Sequence, residues 1–321
     1  MRSRVRSPLW QRYAPPGVAL EIASGRVTVA ELTSSAGGPV VSAHASEPLA
    51  DGLVAPGLVG VNVPDPAAVA DAARRALDRA GLRSVRRAAL VIPDSAVRIT
   101  LLPFEQVPAR QADFDQLIRL QVRKATPFPL DDAQISTFTA SGGEGPTTIG
   151  VVVARRDVVA QYEAVADTLG IHAGIVDVAS LNVMNTVIGS GQAPAEDWLL
   201  VSLAAEATTL AILRGHDLLF YRHRTAVDEE PLAALVHQTA MYHEDRLGGT
   251  RFARVWVSGA SRAAKGLEAV RREIADRLGV PAEPVDCRPA AELRDRVAAG
   301  PDVLDALAAP VGILLRERKA A

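Results

Sequence analysis

The chain is poor in cysteine, lysine, aromatic residues and long apolar runs. A single cysteine, Cys287, in 321 residues excludes an intrachain disulfide and fits a reducing, cytoplasmic setting. Its ordinary role is that of a small, partly buried apolar residue. Of the 35 basic residues, 32 are arginine, and alanine is abundant. That bias reflects GC-rich coding, so a single arginine is not read as a phosphate ligand. The net charge of -2 provides no basic field for nucleic acid. No apolar run reaches the roughly 18 residues needed to span a bilayer. The N-terminus, MRSRVRSPLWQRY, is basic but lacks the apolar core of a signal peptide. It reads as a flexible tail over residues 1–16, with weak contact to anionic lipid through its arginines and Trp10 as the alternative.

Catalytic motifs are missing too. Neither G-x-x-x-x-G-K-[ST] nor G-x-G-x-x-G occurs, which excludes a P-loop and a Rossmann site. His237 and His243 stand six apart, off a common helix face, so no zinc pair is expected. Gly189-Ser190-Gly191 falls short of a nucleophile elbow and reads as a flexible connection.

What the chain does have is 48% hydrophobic residues, enough for two cores. Trp198 to Arg224, WLLVSLAAEATTLAILRGHDLLFYRHR, reads as two strands, a glycine turn and a third strand. Gly17 to Leu32, GVALEIASGRVTVAEL, repeats the strand-turn-strand shape at the other end. Two such hairpins, each opening one half of the chain, predict a duplicated two-lobed α/β fold.

Between the hairpins, Thr33 to Pro64 reads as a strand and loops, with apolar runs at Pro39 to Val41 and Gly57 to Val63. Pro66 to Ala80 reads as an amphipathic helix, capped by Asp65 and ended by Gly81. Arg87 to Pro93, RAALVIP, suits the middle of a sheet. A strand at Ala96 to Leu102 precedes a helix opened by Pro108. That helix puts Phe114, Leu117, Ile118, Gln121 and Val122 on one face and ends at the Pro-Phe-Pro turn. Strands at Ala133 to Thr139 and Thr147 to Ala154, then a helix at Asp157 to Leu169, complete an inserted β-α-β-β-α unit. The second half adds helices at Pro231 to Leu247, Lys265 to Leu278 and Val303 to Leu315, with strands at Arg254 to Ser258 and Ala282 to Val285.

The paired hairpins resemble the two phosphate loops of the actin, Hsp70 and sugar-kinase superfamily, a duplicated ribonuclease H-like fold. VIPDSAVRITLLPF, KATPFPLDDA, ARRDVVAQYEAVADTLGI and IVDVASLNV narrow the resemblance to PilM, the actin-like assembly protein of type IV pilus machines. It runs from Gly17 to Leu315. It implies an FtsA-like division: a first-lobe core over residues 17–94 and 170–195, an inserted subdomain over 95–169, a second lobe over 196–300, and a C-terminal helix within 301–321 packing back on the first lobe.

The implied ligand is ATP or ADP with Mg2+, but both loop Asp-Gly pairs are replaced. Glu21-Ile22-Ala23, followed by Ser24, stands at the first, and Ser202-Leu203-Ala204 at the second. Thr28 stands where a basic residue often follows, and the adenosine-side loop reads Ser258-Gly259-Ala260. Asp177 is the remaining carboxylate expected near the cleft, with a helix N-cap as its commoner meaning. At most weak nucleotide binding, without hydrolysis, is expected.

Phe104, Pro127, Phe128, Pro129 and Leu130 form a proline-bounded apolar ridge. It reads either as a plug between subdomains or as a binding surface. The resemblance implies that the groove between insert and first-lobe core takes the N-terminal peptide of a PilN-type, single-span inner-membrane partner. The implied role is that of a cytoplasmic adaptor, peripheral at the inner membrane. An ATP-driven switch and a cytoplasmic type II secretion component remain alternatives, and self-association is left open.

Overall fold

The computed structural model describes residues 16–143, 145–225, 230–294 and 299–318. The basic tail expected over residues 1–16 lies, apart from Pro16, outside them. Apolar residues on β1 (Val18–Ala23) and β2 (Arg26–Ser35) fold these strands into a hairpin, with Leu20, Ile22, Val27 and Val29 buried. β3 (Gly38–Pro48), β4 (Arg87–Ile92), β8 (His172–Val178) and the two-residue β14 (Glu292–Leu293) complete a sheet of order β14-β3-β2-β1-β4-β8.

A second sheet repeats the plan. β9 (Asp197–Leu203), β10 (Ala207–Arg214), β11 (Asp217–Thr225), β12 (Arg254–Ser258) and β13 (Ala282–Pro284) take the order β11-β10-β9-β12-β13, matching β3-β2-β1-β4-β8 of the first. Three antiparallel strands followed by two parallel ones occur in each. The duplication read from the hairpins is present strand for strand. Helices α5 (Leu232–Leu247) and α6 (Leu267–Leu278) close a separate core around Leu199, Val201, Leu210 and Ile212.

Helix α1 (Pro66–Arg79) begins where Asp65 Oδ1 accepts the Ala68 amide at 3.0 Å, and Gly81 follows it at φ +72°. The third sheet, β5-β7-β6, is formed by Val97–Phe104, Thr147–Arg155 and Ala133–Ser141. Helix α2 (Gln111–Arg123) covers one of its faces through Phe114, Ile118 and Val122. It starts three residues after Pro108, and Gln121, assigned by spacing to the apolar face, is exposed.

Helix α3 (Arg156–Thr168) departs from the sequence reading. Grouped there with the insert, it packs on α1 instead, with Val158, Tyr162 and Val165 in the first-lobe core. The Tyr162 hydroxyl donates to Asn62 Oδ1 at 3.1 Å, and Gln161 Oε1 accepts the Asn62 amide at 2.6 Å, which pins the 49–64 loop to α3. The run from Gly57 to Val63 is therefore a docked loop rather than a strand, with Val59 and Val61 exposed.

Residues 287–293, read as second-lobe sequence, also return to the first sheet. Cys287, Ala290 and Leu293 join its core, and β14 pairs parallel to β3. Cys287 is fully enclosed, and its thiol is pushed up to about 12 by burial. Helix α7 (Pro301–Arg318) packs against α4 (Ala179–Gly189) and under β1 and β2. A Cβ at Gly312 would meet the Asn182 carbonyl oxygen at 1.8 Å, so only glycine permits this approach.

Candidate functional site

The matching hairpins bring their turns face to face across a cleft of about 540 Å3. The β1–β2 turn contributes Ser24 and Gly25; the β9–β10 turn contributes Ala205 and Glu206. Glu21, Ala23, Ser202, Ala204, Ser258 and Gly259 line the cleft as expected. Three expected residues do not. Thr28 is buried and bonded to Ser46 Oγ at 3.0 Å, while Ala260 is wholly enclosed in the second core. Asp177 turns away to an ion pair with Arg316 and accepts the Val178 amide at 2.8 Å; Val178 is the α4 N-cap, so the capping role assigned to Asp177 is not realised.

Glu21 is buried on β1, two residues before the strand ends. Desolvation raises its pKa, opposed by Arg26, whose nearest guanidinium nitrogen is 3.6 Å away. Glu21 Oε2 accepts no hydrogen bond, and Arg26 Nε donates none. Ser258 Oγ donates to Ser202 Oγ at 3.0 Å, so the two second-lobe hydroxyls satisfy each other.

Sequence reading missed the contacts between the lobes. Ser24 Oγ donates to Glu206 Oε2 at 2.5 Å, and an Arg262 Nη donates to the Gly25 carbonyl at 3.1 Å. Asp305, from α7, accepts the Gly259 and Ser261 amides at 3.0 and 2.8 Å. Gly259 sits at φ +76°, where a Cβ would lie 1.8 Å from the Leu203 carbonyl oxygen.

The loop amides that would meet a nucleotide polyphosphate are taken by the Asp305 carboxylate, and the cleft lining sets Glu21, Glu206 and Asp305 against Arg26, Arg262 and Lys265, so its charge is mixed. Among the described residues, no three His, Cys, Asp or Glu side chains converge to hold a metal ion.

Deeper in the cleft, a polar network links the lobes to the base of the insert. Asp94 Oδ1 accepts the Ser180 amide and hydroxyl at 3.0 and 2.8 Å, and its Oδ2 accepts the Thr209 hydroxyl at 2.9 Å. Since Thr209 spends its proton on Asp94, it accepts from His223 Nδ1 at 2.9 Å. His223 Nε2 then accepts from Ser95 Oγ at 3.1 Å. Desolvation raises the neighbouring Tyr221 phenol well above its ordinary value.

The expected partner ridge is placed differently from its sequence reading. Phe104 is buried against Phe114, with ring centroids 6.2 Å apart, and presents nothing to solvent. Pro127 and Pro129 are exposed, while Phe128 and Leu130 are half-buried against the α2 side of the third sheet. Phe128, Pro129 and Leu130 edge an 870 Å3 groove with Leu117 and exposed Leu120. The opposite face of that sheet turns toward the lobes. Ile99 and Val152 pack on the first-lobe core, and Leu101 and Phe138 pack on the cluster shared with α4 and α7, all four staying half-buried. The Phe138 ring lies over Gly150, where a Cβ would meet it at 2.2 Å. The strands β5 and β6 are the sheet's edges. Among the described residues, no helix is long and apolar enough to cross a membrane.

Comparison with known proteins accords with this architecture. A solved PilM-PilN type IV pilus biogenesis complex contains a chain that superposes with a TM-score of 0.78 at 20% identity, covering 95% of this chain and 99% of that one. A Bacteroides thetaiotaomicron protein of actin-like ATPase fold and unknown function superposes at 0.51 with 8% identity, over 89% of this chain and 96% of its own. No curated protein matches the sequence. The family model described as type IV pilus assembly protein PilM matches residues 19–244. The fold is thus actin-like, and the chain belongs to the PilM family of type IV pilus assembly proteins.

Proposed function

We propose that this protein is an adaptor of a type IV pilus machine, placed on the cytoplasmic side of the inner membrane, where it holds the N-terminal peptide of a PilN-type, single-span partner. The observation that carries this reading is the half-covered inner face of the third sheet, where Ile99, Leu101 and Phe138 stand apolar beside two edge strands. An extended peptide gains main-chain hydrogen bonds from such an edge and side-chain selectivity from such a face. The named partner of the solved PilM complex supports the same assignment. The reading needs no ATP or ADP with Mg2+, because the adenosine-side loop amides are already held by Asp305.

The test is fluorescence anisotropy with a labelled N-terminal peptide of a PilN-type protein. Leu101→Ala and Phe138→Ala are each expected to weaken binding about thirtyfold, the loss of roughly 2 kcal/mol typical of an anchor residue. Glu21→Gln leaves it unchanged. Loss in Leu120→Ala and Phe128→Ala, with Leu101→Ala and Phe138→Ala intact, would move the site to the α2 groove. Undiminished binding by all four variants would sink the reading.

A further inference from the structure

We infer that the cleft is an interlobe latch, which keeps the two lobes at one angle without any ligand. Three independent contacts cross it, each joining a first-lobe element to a second-lobe element. Ser24 on the β1–β2 turn holds Glu206 on the β9–β10 turn. Arg262, after β12, holds the Gly25 carbonyl. Asp305 of α7 holds two amides after β12 and is itself buried. Hydrogen bonds with an ionised donor or acceptor are about twice as strong as neutral ones, and all three contacts have one, a carboxylate in two and the Arg262 guanidinium in the third.

The chemistry of the positions supports a latch. The two turns match residue for residue, Ser24 with Ala205 and Gly25 with Glu206. Asymmetry at these positions lets them bond: a hydroxyl donor on one turn meets an acid on the other, and the glycine opposite leaves space for the arginine. A Cβ at Gly25 would stand 2.7 Å from an Arg262 Nη. Closure joins residues of both charge signs, with Glu206 and Asp305 on one side of the balance and Arg262 on the other.

The test measures the lobe angle itself. Cys287 is fully enclosed, so spin labels attach selectively at Asp51→Cys in the first lobe and Asp276→Cys in the second, both exposed in the native chain. Dipolar spectroscopy is expected to give one narrow distance distribution, unchanged by millimolar Mg-ATP. Adding Glu206→Ala or Asp305→Ala is expected to broaden it at least twofold. Arg262→Ala, an exposed side chain whose loss leaves the cores intact, gives a smaller broadening. Two populations in the otherwise unaltered chain, or a distance that moves with Mg-ATP, would overturn the inference even if no cleft variant folds. It also fails if the variants lose thermal stability while the distribution stays narrow, since the contacts would then be structural only. The measurement does not involve the partner peptide, so the adaptor reading stands or falls separately.

Discussion

In the first sheet Glu21 faces Thr28 across β1 and β2; in the second, Ser202 faces Thr209 across β9 and β10. Register makes these pairs equivalent, yet they do different things. Thr28 bonds to Ser46 within its own sheet, whereas Thr209 reaches Asp94 of the other lobe. Glu21 is a buried acid beside Arg26 whose Oε2 accepts no hydrogen bond, and Ser202 is a hydroxyl satisfied by Ser258. A duplicated scaffold keeps its strand order because alternation and burial specify it along every strand. Polar residues at the turns carry no such burden, so the two copies have diverged there into the halves of a latch.

The comparison breaks most severely at the start of the central strands. Asp197 opens β9, at the place of Pro16 before β1, and is held by Arg214 at 2.6 Å and by buried His243 at 2.7 Å. The Arg214 hydrogen bond lowers its pKa despite partial desolvation. Asp197→Ala is expected to cost about 3 kcal/mol in urea unfolding, because it removes the acceptor shared by Arg214 and the buried His243 ring. A depressed carboxylate pKa stabilises the fold above the unfolded value, near 4, and that stability is lost as pH falls through the folded value. Acid titration of the wild-type chain against Asp197→Ala measures this difference, which should shrink below about pH 4.

Next in size is the end of the fourth strand, where Ile92 in the first sheet is matched by Gly259 in the second. Gly259→Ala adds a left-handed backbone penalty to a clash with the Leu203 carbonyl, so a loss of about 3 kcal/mol is expected. Ile92→Ala removes core volume without that strain and leaves the lobe angle unaltered. Both losses show in chemical denaturation, and spin-label distances separate the two kinds of effect.

The threonine pair sharpens the contrast at smaller scale. Thr209→Val strips a partner from both Asp94 and His223 and should cost about 1–3 kcal/mol. Thr28→Val removes one hydrogen bond to Ser46, for about 1 kcal/mol. Equal costs would mean that Thr209 does not join the lobes.

Glu21→Gln gives the smallest effect and shows it mainly in pH dependence. A carboxyl whose folded pKa is raised loses stability as pH climbs past its unfolded value, about 4.3. Stability of the wild-type chain relative to Glu21→Gln should therefore fall from acid toward neutral pH. A constant difference would show that Glu21 titrates as it does in the unfolded chain.

Elements with local signatures were legible. Alternation marked β1, β2, β9 and β10, and Asp65 with Gly81 bracketed α1. The helical period of α3 was equally clear, but a period names an apolar face and not the core that receives it. Tyr162 and Val165 would suit the insert as well as the first lobe. Phe104 and Phe128 carried a proline-rich signal that did not reveal which side of the third sheet they join. The two-residue β14 has no periodicity to detect.

The cleft was half legible for the same reason. Glu21, Ser202 and Gly259 stand at fixed offsets from strand ends, where the pattern of a hairpin locates them. Glu206 lies 182 residues from Ser24, and Asp305 lies 46 from Gly259. Sequence by itself determined the two apolar plans, because burial repeats at every second residue of a strand and is written locally. Only tertiary structure decided which polar groups meet between those plans, because a single hydrogen bond leaves no period in the chain and depends on how two sheets and a distant helix come to rest together.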